Sequence, residues 1–208
     1  MAEFEKKEKV LCMLSGGLDS LAVLYLLLTR PEYEDKEIHV HHLILKNIEQ
    51  RALAEKAACQ RILTYFREHS FKDFGYSESF HDTTFLKKYF IFDTVMYYFI
   101  AANMVINDSS IRQVAVGFIK EEFDNKEALN RLNKGRNVFY ECLPEETKFQ
   151  RELIFPLRNY FKKDVWKLLP ADLRTLAWSC RRPIYKDNKV YACEKCKTCK
   201  AMVELQKA

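Results

Sequence analysis

Six residues, Ser15-Gly16-Gly17-Leu18-Asp19-Ser20, constrain this chain more than any other stretch. They separate the unbroken apolar run Val10-Leu11-Cys12-Met13-Leu14 from an apolar segment of helical period over 21–28. A short buried strand, two glycines and a helix start aim backbone N–H groups at an anion held by the positive helix end. The glycines allow a tight turn and a close ligand, Ser15 and Ser20 offer hydroxyls, and Asp19 offers a carboxylate to a divalent cation. No Gly-Lys-Ser/Thr follows, so the loop is not of the Walker A kind. The stretch reads as a phosphate-binding loop.

The rest of the chain suits an α/β host for that loop. With 208 residues, 48% of them hydrophobic, it can bury one substantial core, and it shows no repeat or low-complexity tract. No apolar run approaches the ~20 residues of a membrane span. The charged stretch 1–9 lacks the apolar core of a signal peptide. The expectation is a cytoplasmic protein without a membrane partner.

Strands are expected over 9–14 and 38–45, with a helix over 18–29 between them stopped near Pro31. That order implies a right-handed crossover and a parallel sheet. Alternation puts His39 and His41 on one face and His42 on the other. His42 lies near the strand's C-terminal end, where ligands sit in open α/β sheets, and is a candidate nucleotide contact. Further helices are expected over 49–68, over 85–106, from an Asp124 cap to a closing Gly135, and over 161–169. Residues 71–82 read as irregular with a short strand at 77–81; strands are expected over 111–118 and 153–157. Gly117 ends its strand where close backbone approach is useful. Lys162, a cation at a helix start, suits an anion there.

The second strong pattern is Cys180-x12-Cys193-x2-Cys196-x2-Cys199. Four thiolates suit a tetrahedral zinc ion, and a site with four protein ligands has no open position, which makes the metal structural. Disulfides or a redox Cys-x-x-Cys are the rival; a chain without a secretion signal favours zinc. Of the chain's 34 basic and 29 acidic residues, eight and three lie from Trp178 onward, leaving 26 of each sign elsewhere. The whole net charge of +5 is thus C-terminal. It either balances the thiolates around a metal or marks a nucleic-acid partner.

These residues carry a family likeness. Ser-Gly-Gly-x-Asp-Ser resembles the signature of the PP-loop ATP pyrophosphatase superfamily. Trp178-Ser179-Cys180 with the cysteine cluster resembles the C-terminus of its 7-cyano-7-deazaguanine synthase (QueC-like) branch. Gln50-Arg51-x3-Glu55, Ala128-Leu129-Asn130-Arg131, Pro156-Leu157 and Lys162-x-Asp164-Val165 are similar to intermediate motifs of that branch. The resemblance implies a Rossmann-like, adenine nucleotide alpha hydrolase-like parallel sheet flanked by helices. It divides the chain into an ATP-binding domain over 1–177 and a four-cysteine zinc-binding appendage over 178–208.

It further implies ATP and Mg2+ bound through Ser15, Gly16, Gly17, Leu18, Asp19 and Ser20, with His42, Arg51 and Gly117 nearby, and Asp19 and Lys162 as catalytic residues. The implied reaction adenylates 7-carboxy-7-deazaguanine and uses ammonia to form the amide and then the nitrile. Two departures touch the substrate region: Phe118-Ile119-Lys120-Glu121-Glu122-Phe123 replaces the branch's substrate signature, and Lys87-Lys88-Tyr89-Phe90 replaces its Arg-Asn-rich turn. Glu121 and Glu122 stand at a strand end as candidates for magnesium or ammonium.

Alternatives therefore stay open. One is transfer of the activated carboxylate to an amine on a protein or nucleic acid. Another is a PP-loop tRNA-modifying sulfurtransferase, which needs either a catalytic cysteine, with Cys142 and Cys59 as the candidates outside the cluster, or an iron–sulfur cluster. A third is a non-catalytic zinc-stapled binding module. The aromatic stretch 85–106 offers a surface for a homodimer.

Overall fold

The computed structural model describes residues 7–89 and 93–207. Five parallel strands form the central sheet: β1 (Lys9–Met13), β2 (Glu37–Lys46), β3 (Phe74–Asp82), β4 (Ile111–Ala115) and β5 (Glu152–Ile154). Their spatial order is β3-β2-β1-β4-β5. Helices α1 (Leu18–Thr29), α2 (Ala52–Glu68), α3 (Asp93–Asn107), α4 (Lys120–Asp124), α5 (Lys126–Cys142), α6 (Glu145–Lys148), α7 (Lys162–Leu168) and α8 (Ala171–Arg174) follow the strands. A two-stranded hairpin, β6 (Ile184–Lys186) and β7 (Lys189–Tyr191), and helix α9 (Lys197–Lys207) complete the chain.

The unbroken apolar run over 10–14, which carries β1, reflects burial on both faces. Val10, Cys12 and Leu14 join Leu21, Leu24 and Leu27 of α1, Ile62 and Phe66 of α2 and Val165 of α7. Leu11 and Met13 face the opposite layer, with Leu43 and Leu45 of β2, Tyr98 and Ala102 of α3 and Leu132 and Phe139 of α5. Burying each such Leu or Phe contributes about 1.5–3 kcal/mol. Among the described residues no helix is long and apolar enough to cross a membrane.

Several expectations need correction, beginning with two strand ends: β4 stops at Ala115 and β5 at Ile154, short of 118 and 157. Residues 71–82 are mostly strand: β3 pairs with β2 continuously from Ile38↔Phe74 to Lys46↔Asp82. The polar residues that hid it are satisfied inside the sheet. Ser77 Oγ lies 2.8 Å from both His39 Nε2 and His41 Nδ1, and Ser79 Oγ lies 3.0 Å from His41 Nε2. Burial, with the neighbouring imidazoles, pushes His41 down to about 4. It is a neutral sheet residue.

The aromatic helix starts at Asp93 instead of 85; Lys87 has φ 49° and interrupts the helical geometry before it, and residues 90–92 lie outside the described residues. The expected helix over 49–68 begins at Ala52, after Gln50 takes φ 56°. Finally, Gly135 lies inside α5, and Asn125 rather than Asp124 caps that helix, accepting from Ala128 N at 2.9 Å.

Gly135 is there because α3 crosses α5 at that point: a Cβ on it would sit 2.2 Å from Cδ2 of the buried Tyr98. Gly135→Ala gains helix propensity but forces the Tyr98 ring out of its place. A net destabilisation of about 1–3 kcal/mol is expected, read as a lower midpoint in urea; an unchanged or raised midpoint would contradict this packing.

Candidate active site

The strand order reverses between β1 and β4, since α1 leaves β1 toward one layer and α3 precedes β4 in the other. That switch point opens a crevice at the C-terminal ends of the strands. A cavity of about 350 Å³ occupies it, lined by Ser15, Gly17, Leu18, Asp19 and Ser20 after β1 and by Val116, Gly117 and Phe118 after β4.

The loop is held by its own serines. Ser15 N donates to Ser20 Oγ at 3.1 Å, the two hydroxyls are 2.9 Å apart, and Ser20 Oγ donates to the Gly17 carbonyl at 3.0 Å. Helix α1 has Gly17 as its N-cap and no side-chain cap. Its first N–H groups therefore remain available to an anion. Gly117 is glycine because a Cβ there would come within 3.0 Å of the Asp19 carbonyl carbon and 3.1 Å of Ser20 N.

Gly16 plays a different part from Gly17. It takes φ 81°, and a Cβ would meet the Glu55 carbonyl at 2.8 Å and the Cys59 sulfur at 3.2 Å. It does not line the cavity; its glycine character serves the packing of the loop on α2.

Lys162, the first residue of α7, reaches across from the β5 side. Its ammonium donates to both Asp19 oxygens, at 2.6 and 2.7 Å. The two charges satisfy each other at the cavity wall. Glu122 and Arg131 also line the cavity. Burial raises Glu122 above the usual carboxylate range, against the hydrogen bond it accepts from Ile119 N. Glu121 instead accepts from Lys162 N at 2.8 Å and holds the start of α7.

The facing wall is an ionic cluster around Arg51. Its guanidinium pairs with Glu55, with Asp93 and, at 2.7 Å, with Glu49. Burial pushes Glu55 up and Arg51 opposes that rise. Tyr97, half-buried on the cavity wall, is raised well above the usual phenol range, chiefly by desolvation. Asp93 and Tyr97 were not legible as site residues, because their only link to Arg51 is tertiary.

His42 does not reach this cavity. It is fully buried behind the loop, bonded through Nδ1 to the Leu14 carbonyl at 2.8 Å and lying 3.3 Å from Cys59 Sγ. The reason is the alternation of β2: even-numbered residues point into the α1–α2 layer. Neither Cys59, buried beside His42, nor Cys142 in α5 lines the cavity.

No family model and no curated relative matches this chain. Among solved structures, the U34-tRNA thiolase NcsA from Methanococcus maripaludis, with its [4Fe-4S] cluster, aligns with a TM-score of 0.54 at 16% identity. The alignment covers 98% of this chain and 66% of the thiolase, so the chain spans about two thirds of that protein's length. The two share a fold.

The four clustered cysteines come together as expected. The Sγ atoms of Cys180, Cys193, Cys196 and Cys199 all lie within 4.8 Å of one another. One tetrahedral ion with bonds of about 2.3 Å sets its sulfurs about 3.8 Å apart, and the observed 3.4 Å for Cys196–Cys199 and 4.0 Å for Cys193–Cys199 bracket that value. Backbone N–H groups of Arg182 and Cys193 point at the Cys180 sulfur, at 3.4 and 3.2 Å. Burial raises the Cys196 thiol, but the Thr198 hydroxyl and backbone N–H groups bring it down to about 5, while burial and its cysteine neighbours push Cys199 up to about 12. The donor set fits a metal held as thiolates.

This segment is also a wall of the cavity. Trp178, Ser179, Cys180, Arg181 and Thr198 line it. Trp178 N donates to the Gly16 carbonyl at 2.8 Å, and Tyr185 Oη donates to the Gln50 carbonyl at 2.6 Å. Nothing local in the sequence announces that the appendage clasps both the 15–20 loop and the Arg51 turn.

Proposed function

We propose that this chain is an ATP-dependent adenylating enzyme of the PP-loop type that acts on a nucleobase-like acceptor. The observation that carries the reading is the uncapped start of α1 at the switch point, with the Lys162–Asp19 pair at the wall of the same cavity. In the proposed reaction an acceptor oxygen attacks the α-phosphorus, the α–β bridging P–O bond breaks, and pyrophosphate leaves with the electron pair. A nucleophile then displaces AMP from the activated carbon. Mg2+, when bound, supplies charge neutralisation to the phosphates, with Asp19 as its carboxylate.

The protein's own contribution is positioning and charge stabilisation. Backbone N–H groups from Gly17 to Ser20 face the departing pyrophosphate, and Lys162 offsets the negative charge that builds on it. Among the described residues no cysteine outside the metal cluster lines the cavity, so the nucleophile arrives from outside the chain. Support for the acceptor is divided. The fold likeness to a tRNA thiolase favours a base in tRNA, with a sulfur donor. The resemblance of the cysteine cluster to the deazaguanine branch favours 7-carboxy-7-deazaguanine with ammonia. For the metal we assign one zinc ion, on the close approach of the four sulfurs; the iron–sulfur alternative takes its support from the same fold likeness.

The test is release of AMP and pyrophosphate from ATP, with 7-carboxy-7-deazaguanine and ammonium in one arm and unmodified tRNA and sulfide in the other. Equimolar AMP and pyrophosphate in one arm, abolished by Asp19→Ala, is the expected result. Absence of AMP in both arms would sink the adenylation reading. Mass spectrometry of the product and metal analysis with visible absorption decide acceptor and metal.

A further inference from the structure

The outward face of the β6–β7 hairpin has no role in the site described above. Its turn residues Asp187 and Asn188 both take positive φ, 50° and 57°, the geometry of a tight two-residue hairpin turn. Tyr185 pairs with Val190, and Tyr185 is spent on the Gln50 carbonyl. Alternation then puts Ile184, Lys186, Lys189 and Tyr191 together on the other face, all four exposed.

Lys186 and Lys189 are directly opposite each other across the strands. Like charges in that position destabilise a hairpin. Among the described residues neither has a salt-bridge partner, nor do Arg182, Lys195, Lys197 or Lys200 of the same appendage. Charge balance around the metal does not absorb this excess. Four thiolates on one divalent ion carry −2, which leaves a segment of net +5 still positive. Exposed Ile184 and Tyr191 form the next cross-strand pair on the same face, placing an aliphatic and an aromatic side chain beside the two cations.

We propose that this face docks an unpaired RNA segment and that the segment carries the acceptor base to the cavity past Arg181. Phosphates meet Lys186, Lys189 and Arg182, and one base stacks on Tyr191. Exposed aromatic and apolar side chains favour unpaired bases over a duplex, whose bases are already stacked. The fold likeness to a tRNA-acting protein favours RNA over DNA. Naming the acceptor in this way rests on the reading above; docking does not, so the test measures binding without ATP.

The experiment is fluorescence anisotropy of the zinc-loaded full chain with a labelled single-stranded RNA, over a salt series. Competitors are duplex RNA, single-stranded DNA and polyglutamate. Micromolar binding at low salt is expected, with a slope of log K against log salt of about −2 for three phosphate contacts. Lys186→Gln with Lys189→Gln should weaken binding at least about tenfold and shorten that slope. Tyr191→Ala should weaken it by about tenfold and Tyr191→Phe hardly at all. Zinc content and AMP release with a small-molecule acceptor should not change in these variants. Variants that keep their zinc yet bind RNA as the parent does overturn the proposal. So does tighter competition by duplex RNA, single-stranded DNA or polyglutamate; polyglutamate would indicate an acidic protein partner instead.

Discussion

Lys162→Ala is expected to lower the turnover of ATP to AMP by about a thousandfold, the scale seen when a charge-stabilising donor is removed from a phosphoryl- or acyl-transfer site. The ammonium lies 2.6 and 2.7 Å from the Asp19 oxygens at the cavity wall, on the first residue of α7. Because the charge it offsets grows during bond breaking, kcat should fall while the KM for ATP moves only a few-fold. Lys162→Arg should restore little, since a planar guanidinium does not replace a compact ammonium at this distance. The fold should survive: Lys162 is partly exposed, and the pair it makes contributes about 1 kcal/mol or less. A variant that keeps its kcat within tenfold of the parent would remove Lys162 from the chemistry.

Stripping the metal is expected to release residues 178–207 as a unit while the sheet domain stays folded. Among the described residues beyond Trp178 only Cys180 and Cys199 are buried, so the appendage has almost no core of its own. A structural zinc site supplies about 10 kcal/mol or more to a segment of this kind. The buried residues of both sheet layers all lie outside the appendage, and only the partly buried Met202 and Leu205 of α9 pack against one of them. Hydrogen exchange after chelation under reducing conditions should show lost protection across 178–207 and also around Gly16 and Gln50, whose carbonyls the appendage caps. Losing that support should weaken ATP binding about tenfold, roughly the worth of one hydrogen bond. Zinc should restore both readouts. Unchanged exchange around Gly16 would mean that the appendage does not hold the loop.

The residues best legible in the sequence were those whose chemistry is local. The phosphate loop is six consecutive residues between a strand and a helix, and three of the four clustered cysteines lie within seven positions. Lys162 was legible through its place at a helix start. Periodicity located β1, α1 and β2 because their apolar residues are buried in the simplest way, against the two layers of one sheet.

Where a residue's role depends on a distant partner, the local signal pointed elsewhere. Ser77 and Ser79 make β3 look irregular until His39 and His41 satisfy them from β2. Gly135 looks like a helix terminator until Tyr98 occupies the space its side chain would fill. His42, placed by strand position near a ligand, points into the core, and Asp93 becomes a site residue only because Arg51 finds it across 42 positions. Local pattern shows the six-residue turn between β1 and α1 and the spacing of the four cysteines. Tertiary structure alone decided that they form two walls of one cavity, because the hydrogen bonds that join them link residues more than a hundred positions apart.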